Sequence, residues 1–225
     1  TIDGGPGDDT LTGGNGADQI LGGDGSDSVR GGPGNDVALL GTNDDVFQWD
    51  PGDGSDVVEG QGGADVLRFN GANISEIIAV SANGTRTRLF RNIANITMDI
   101  DSVEQIEVRA LGGTDALSVD DLSGTATTQV LFDLNASGGG ADGAADTVQV
   151  NGSPAADSAT FAAAGNQLQV GGLAPAVAVI GAEPTVDGLT INGQGGDDLL
   201  STQIAAGTGI RLTLDGGING SAGDL

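Results

Sequence analysis

The chain has 225 residues and a formal net charge of −25, set by 32 acidic residues against seven arginines. It has no histidine, cysteine, tyrosine or lysine, which removes histidine-based triads, histidine or cysteine zinc sites and thiol nucleophiles from consideration. The acidity also makes nucleic acid and anionic membrane surfaces unfit partners, because both need clustered cations, and it leaves dissolved divalent cations as the natural counter-charge. Aromatic residues are 3% of the chain and 42 residues are glycine. So few large side chains predict a thin core, and the length allows one elongated solenoid or two short domains. No apolar run is long enough to span a bilayer as a helix.

Taken in order, the chain begins with four nonapeptides laid end to end from Gly4: GGPGDDTLT, GGNGADQIL, GGDGSDSVR and GGPGNDVAL. Each has glycine at its first, second and fourth positions and aspartate at its sixth, giving Asp9, Asp18, Asp27 and Asp36. The first three add an aliphatic residue at the eighth, namely Leu11, Ile20 and Val29. Glycines permit left-handed backbone and close approach of carbonyl oxygens to an ion. Aspartate supplies the hard anionic oxygen that calcium prefers. The aliphatic side chain points inward from a short strand and cannot be buried by one repeat alone, so repeats must stack.

This pattern, G-G-x-G-x-D-x-U-x, resembles the repeats-in-toxin (RTX, hemolysin-type) calcium-binding family. The resemblance implies an all-β fold in which two repeats make one coil of a parallel β-roll, with Asp9 stacked on Asp27 and Asp18 on Asp36. It implies Ca2+ as the ligand, with Gly5, Gly7, Asp9, Gly14, Gly16, Asp18, Gly23, Gly25, Asp27, Gly32, Gly34, Asp36, Asp45, Asp56 and Asp65 as the metal-binding positions. Family members commonly leave bacterial cells by type I secretion, so an extracellular or cell-surface location is expected. In the family's enzymes the repeats are usually a secretion and folding module, with catalysis elsewhere.

Past Leu39 the frame continues with damage. Asp45 keeps phase nine residues after Asp36, but Asp56 comes eleven after Asp45. Two extra residues near Trp49-Asp50 must bulge out, or the site there is lost. The frame resumes at Asp65. Phe47-Gln48-Trp49 reads as a core plug at the change of pattern, with a carbohydrate-stacking platform as the alternative. Residues 1–65 hold 14 acidic residues against one arginine, Arg30.

From Phe69 the character changes. Ile77–Ser81 and Thr85–Phe90 flank Ala82-Asn83-Gly84, a β-hairpin signal, and Ile96–Ile100 is a third strand beside them. Arg68, Arg86, Arg88, Arg91 and Arg109 gather here, either answering local acids on a solvated face or forming a basic contact between protomers. Beyond Val103 the chain predicts a looser β-solenoid or β-helix, with strands near residues 107–109, 116–119, 130–134, 147–150, 167–170, 177–180, 189–191 and 210–214. Asp115, Asp146 and the pair Asp197-Asp198 sit in echoes of the repeat without a partner nine or eighteen residues away. The division is thus 1–68 nonapeptide β-roll, 69–109 hairpin-containing segment and 110–225 degenerate solenoid, with no helix.

No G-x-S-x-G elbow is present. Gly138-x-Gly140-x-x-Gly143 matches a dinucleotide fingerprint on paper but lacks a following helix. Six Asn-x-Ser/Thr sequons, at Asn73, Asn83, Asn95, Asn135, Asn151 and Asn219, read as turn asparagines. Both ends look cut from a longer protein. The expectation is a non-enzymatic extracellular structural or adhesive calcium-binding segment, of a surface layer or filament, that self-associates into an extended assembly. The alternative is the C-terminal secretion and folding module of a secreted enzyme or toxin.

Overall fold

The computed structural model describes residues 1–164, 167–203 and 210–219. Among the described residues, strands of two to seven residues form two large facing sheets and one small two-stranded pair, Gly195–Gly196 with Ile218–Asn219. The first eight are β1 (Ile2–Pro6), β2 (Thr10–Thr12), β3 (Gln19–Asp24), β4 (Ser28–Arg30), β5 (Val37–Thr42), β6 (Val46–Trp49), β7 (Val57–Gly62) and β8 (Val66–Asn70). Odd-numbered members stack in one sheet and even-numbered members in the other, all parallel. Register advances by eighteen residues per coil at first, as in Ile2 opposite Ile20, and by twenty after the insertion, as in Val37 opposite Val57. The nonapeptide length sets this geometry: two repeats return the chain to the same place one strand higher. The Trp49–Asp53 stretch absorbs both extra residues, as the broken spacing required.

The next strands are β9 (Ile77–Asn83), β10 (Arg86–Arg91), β11 (Ile96–Asp101), β12 (Gln105–Arg109), β13 (Ala116–Val119), β14 (Gln129–Asp133) and β15 (Thr147–Asn151). They are followed by β16 (Ser158–Ala164), β17 (Gln167–Gly171), β18 (Ala176–Ile180), β19 (Gly188–Asn192), β20 (Gly195–Gly196), β21 (Leu199–Gln203), β22 (Arg211–Asp215) and β23 (Ile218–Asn219). The only helical element among the described residues is a 3-10 turn at Ile93–Asn95, so the all-β expectation is met. The strands β9, β10 and β11 form an antiparallel meander, turning at Gly84-Thr85 with positive φ at Gly84. The hairpin and its third strand are therefore present, with the turn one residue later than the Asn-Gly reading. A second meander, β16–β17–β18, was not visible in the sequence, and neither were β16 and β21.

The meanders are back-stitches. The first sheet runs β1-β3-β5-β7-β11-β10-β9-β13-β15-β19-β22. After β8 the chain leaps ahead to β9, returns through β10 and β11 to sit beside β7, and only then crosses to β12 beside β8. The second sheet runs β2-β4-β6-β8-β12-β14-β18-β17-β16-β21. Its own back-stitch supplies three strands where the first meander had let the other sheet run ahead. One core column lies between the sheets along the whole stack, so the three sequence segments share it. It is narrow, drawing one to three inward side chains from each strand of the two large sheets, such as Val58 from β7 and Phe47 and Trp49 from β6.

Candidate metal centre

Each nonapeptide folds as a tight turn followed by a strand. All eight glycines expected at the second and fourth positions, from Gly5 to Gly34, have positive φ, a conformation that side chains disfavour. The first glycine is needed for space instead. A Cβ on Gly4 would stand 2.6 Å from the Gly22 carbonyl oxygen and 2.8 Å from Asp9 Oδ2. These two oxygens converge on the space that the missing methyl leaves.

The sixth-position aspartates form two ladders, one at each edge of the roll. At one edge the Asp9 N–H donates to Asp27 Oδ1 at 2.8 Å, Asp27 to Asp45 at 2.7 Å, and Asp45 to Asp65 at 2.9 Å. The Asp65 N–H then donates to Glu104 Oε2 at 2.8 Å. At the other edge Asp18 donates to Asp36 at 2.8 Å and Asp36 to Asp56 at 2.9 Å. The Asp36-to-Asp56 step spans twenty residues, so the insertion leaves the ladder intact. The carbonyl of each of these rungs also accepts an N–H from the next coil, for example Ser28 to Asp9 at 2.9 Å.

From the second rung of each ladder onward, one carboxylate oxygen is thereby held by the backbone. Oδ2 is buried without a hydrogen-bond partner at Asp9, Asp27, Asp36, Asp45, Asp56 and Asp65. Buried polar atoms almost always find partners, and carboxylate oxygens lacking them within the protein fit the binding of a cation. Burial, partly offset by the hydrogen bond from Asp36 and reinforced by the Asp36 charge, pushes the Asp56 carboxyl up to about 7. Burial likewise pushes Asp65 up to about 6, with the Asp45 and Glu104 charges adding to it. Asp36 and Asp45 are raised for the same reason. Among the described residues no three carboxylates gather at one point. A calcium ion would therefore be held by these aspartate side chains together with backbone carbonyls of the glycine turns, an all-oxygen set of the kind calcium takes.

Fifth-position residues also join coils. The Ser26 N–H donates to Asp8 Oδ1 at 2.9 Å, Ser55 to Asn35 Oδ1 at 3.1 Å and Ala64 to Asp44 Oδ1 at 2.8 Å. These bonds run from later coil to earlier, opposite to the sixth-position ladder. Sequence reasoning missed them; the signal was the doublets Asp8-Asp9, Asn35-Asp36 and Asp44-Asp45.

Around the insertion, Asp50 accepts from Gln48 Nε2 at 2.8 Å and from Asn70 Nδ2 at 2.7 Å, and it pairs with Arg30. The Trp49 indole N–H donates to the Gly54 carbonyl at 2.8 Å, and its ring stacks on Phe69 with centroids 4.2 Å apart. Trp49 and Phe47 are fully buried. They plug the core and offer no sugar platform.

The acidic rungs continue beyond the nonapeptides at irregular spacing. The Glu76 N–H donates to Asp115 Oδ1 at 2.7 Å, Asp115 to Asp146 at 2.9 Å, Asp146 to Asp187 at 2.9 Å, and Asp157 to Asp198 at 2.8 Å. The isolated echoes at Asp115, Asp146 and Asp198 do have partners, 31 to 41 residues away. Glu76, Asp157 and Asp187 escaped the sequence reading; their signal was an acidic residue just before a strand. Glu76 repeats the geometry of a nonapeptide rung, its Oε2 lying 2.5 Å from where a Gly71 Cβ would stand, beside the Arg109 carbonyl at 2.8 Å. Its charge, however, is met by the buried guanidinium of Arg91 from β10. Of the other arginines, Arg68 pairs with Glu107 at 2.8 Å, and Arg86 with Glu59 at 2.8 Å and Asp99 at 2.6 Å. Arg68 and Arg86 thus answer local acids.

Among the described residues no helix is long and apolar enough to cross a membrane. No helix follows Gly143, so the paper dinucleotide match has no structural counterpart. Residues 1–47 and 52–73 match the family model of the RTX calcium-binding nonapeptide repeat, in four copies. The unmatched gap at 48–51 falls on the insertion. No curated protein matches the chain. The ladder of buried aspartates from Asp9 to Asp65 and the family match fall on the same stretch: residues 1–47 and 52–73, wound into a parallel β-roll, are similar to the RTX calcium-binding nonapeptide repeat.

Proposed function

We propose that the chain is a non-catalytic, extracellular structural or adhesive segment whose nonapeptide coils fold when calcium occupies the glycine–aspartate turns. The observation that carries this reading is the set of buried, unpartnered Oδ2 atoms of Asp9, Asp27, Asp36, Asp45, Asp56 and Asp65. Without a cation these stacked carboxylates repel each other in a low-dielectric setting. Calcium couples their neutralisation to folding, because it binds the folded coil and not the open chain. Extracellular calcium modules bind at roughly 10⁻⁴–10⁻³ M, so the coils would stay open inside a calcium-poor cell and close after export by the type I route typical of this repeat family. Self-association into an extended surface layer or filament belongs to the same proposal.

The test is far-UV circular dichroism with Trp49 emission, in millimolar calcium and after exhaustive chelation. Trp49 is the chain's single tryptophan and is buried within the repeats. Chelation should remove part of the β signal and red-shift the emission. Unchanged spectra would defeat the calcium-folding reading. Sedimentation in calcium tests the assembly, for which a monomer at every concentration is the contrary result.

A further inference from the structure

We propose that the Gly112–Asp115 turn, with Asp142 facing it, holds a hard divalent cation of the calcium type outside the RTX repeats. It extends the cation reading of the repeats to a turn whose Asp115 lies 42 residues past their matched segment. Asp115 is 1% exposed. Its Oδ1 accepts the Glu76 N–H at 2.7 Å, and its Oδ2 is buried with no partner. Asp27, Asp36, Asp45, Asp56 and Asp65 share this combination.

Three other rungs in this half of the molecule show what the chain does when it satisfies a rung itself. Glu76 Oε2 accepts the Ala72 N–H at 2.7 Å while Oε1 takes Arg91. Asp157 Oδ2 accepts the Ser153 N–H at 2.7 Å, and Asp187 Oδ2 the Glu183 N–H at 2.6 Å. Asp115 has no such arrangement, and no salt bridge among the described residues reaches it. Its surroundings are instead further oxygen donors and negative charge. The Asp142 and Asp146 carboxylates lie near enough to raise its pKa, with burial the larger cause.

Oxygen atoms also face the turn from its solvent side. The space over Gly112 is faced by Asn73 Oδ1 and Asp142 Oδ2, which stand 3.1 and 3.5 Å from the point a Cβ would occupy. Asp142 Oδ2 also accepts the Gly113 N–H at 3.1 Å, which fixes its direction. An open depression of about 570 Å³ on the solvent side of the turn is lined by Asn73, Gly112, Gly113, Asp142 and Gly143. Carboxylate, amide and backbone oxygens of unequal reach suit calcium better than the strict octahedron of magnesium. The chain has no histidine or cysteine to recruit zinc.

Equilibrium dialysis with calcium on the full chain counts bound ions for the wild type and for Asp115→Asn, Asp142→Asn and Asp27→Asn. Asp115→Asn should bind one ion fewer while keeping the ions that depend on Asp27, and Asp142→Asn should weaken one site at least ten-fold. Wild-type stoichiometry and affinities in both variants overturn the proposal. If Asp115→Asn loses its β signal, Asp142→Asn decides, since its side chain is half-buried and outside the rung-to-rung bonds. A wild-type result for Asp27→Asn would count against the repeats separately, leaving the Asp115 comparison to stand by itself.

Discussion

Asp27 is the residue on which the repeat chemistry converges. Its side chain accepts from Asp9, its own N–H donates to Asp45, and its Oδ2 has no partner. Asp9 is at the first rung of the stack, and Asp24, at a variable third position, is exposed, its side chain accepting a hydrogen bond from Thr42 Oγ1 at 3.2 Å. Asp27→Asn should therefore weaken calcium binding more than Asp9→Asn, and Asp24→Asn should leave it nearly unchanged. Calorimetric titration would show the order, and equal losses at Asp24 and Asp27 would mean that general acidity binds the ion. Protons compete for the same oxygens. Asp56 and Asp115 are pushed up to about 7, and Asp65 and Asp146 to about 6, mainly by burial. Between the unfolded value near 4 and these folded values, the native metal-free chain holds protons that the unfolded chain has released. Its stability therefore falls as pH rises through that window. Without calcium, the melting temperature should be higher at pH 5 than at pH 8. Calcium affinity should fall over the same descent in pH, because the ion needs the charged form. A chelated melting curve that strengthens with rising pH would contradict the first expectation.

Among the elements, the meander β9–β10–β11 has the most exacting fastening. Arg91 faces the core beside Leu89, pairs with Glu76, and lies 5.4 Å from the Trp49 ring centroid. Breaking a buried pair from one side costs about 3–5 kcal/mol, while replacing both members can be neutral. Arg91→Met should thus cost several kcal/mol in denaturant unfolding, and adding Glu76→Gln should restore much of it. A double variant as unstable as the single one would show that the guanidinium acts by packing alone. How much of the fold was legible follows from the same elements. Phased glycines and aspartates marked the β-roll through Asp65, because nine-residue spacing is a local signal. The β9–β10 turn showed itself through Asn83-Gly84. The strand β16, Ser-Ala-Thr-Phe-Ala-Ala-Ala, is poor in β-branched residues; it is held by β17 and β21, the latter 41 residues on. The rungs at Asp115, Asp146 and Asp187 were hidden in the same way, since their partners lie at unequal separations set by tertiary structure. Arg91 as an internal counter-ion has no sequence signature at all.

At the scale of the molecule, the acidity of the repeats and the continuity of the core pull against each other. Residues 1–65 carry more than half of the chain's net negative charge in under a third of its length, yet their narrow core runs without a break into the strands beyond. Calcium-free chain should therefore lose amide protection first in β1–β6, while β12, β14 and β18, flanked on both sides in the second sheet, keep theirs. Hydrogen exchange followed by proteolytic mapping reads this directly, and uniform loss along the chain would show that the stack melts as one unit.

The back-stitches have a consequence for how the molecule bears load. In the repeats each coil touches only its neighbours, so a pulling force applied at the N-terminus can peel them one at a time. Each event frees about eighteen residues, or roughly 60 Å of extended chain. That sequence of small yields stops at β7. Its outer neighbour, β11, is reached by the chain only after β9 and β10, and β12 closes the crossing, so no single coil can leave from there. The strands from β9 to β19 should give way together, in one long extension at higher force. Optical-tweezer traces should show a staircase followed by a single rip. In mechanical terms the calcium-bound coils would serve as a fuse, yielding in small steps and sparing the stitched body behind them.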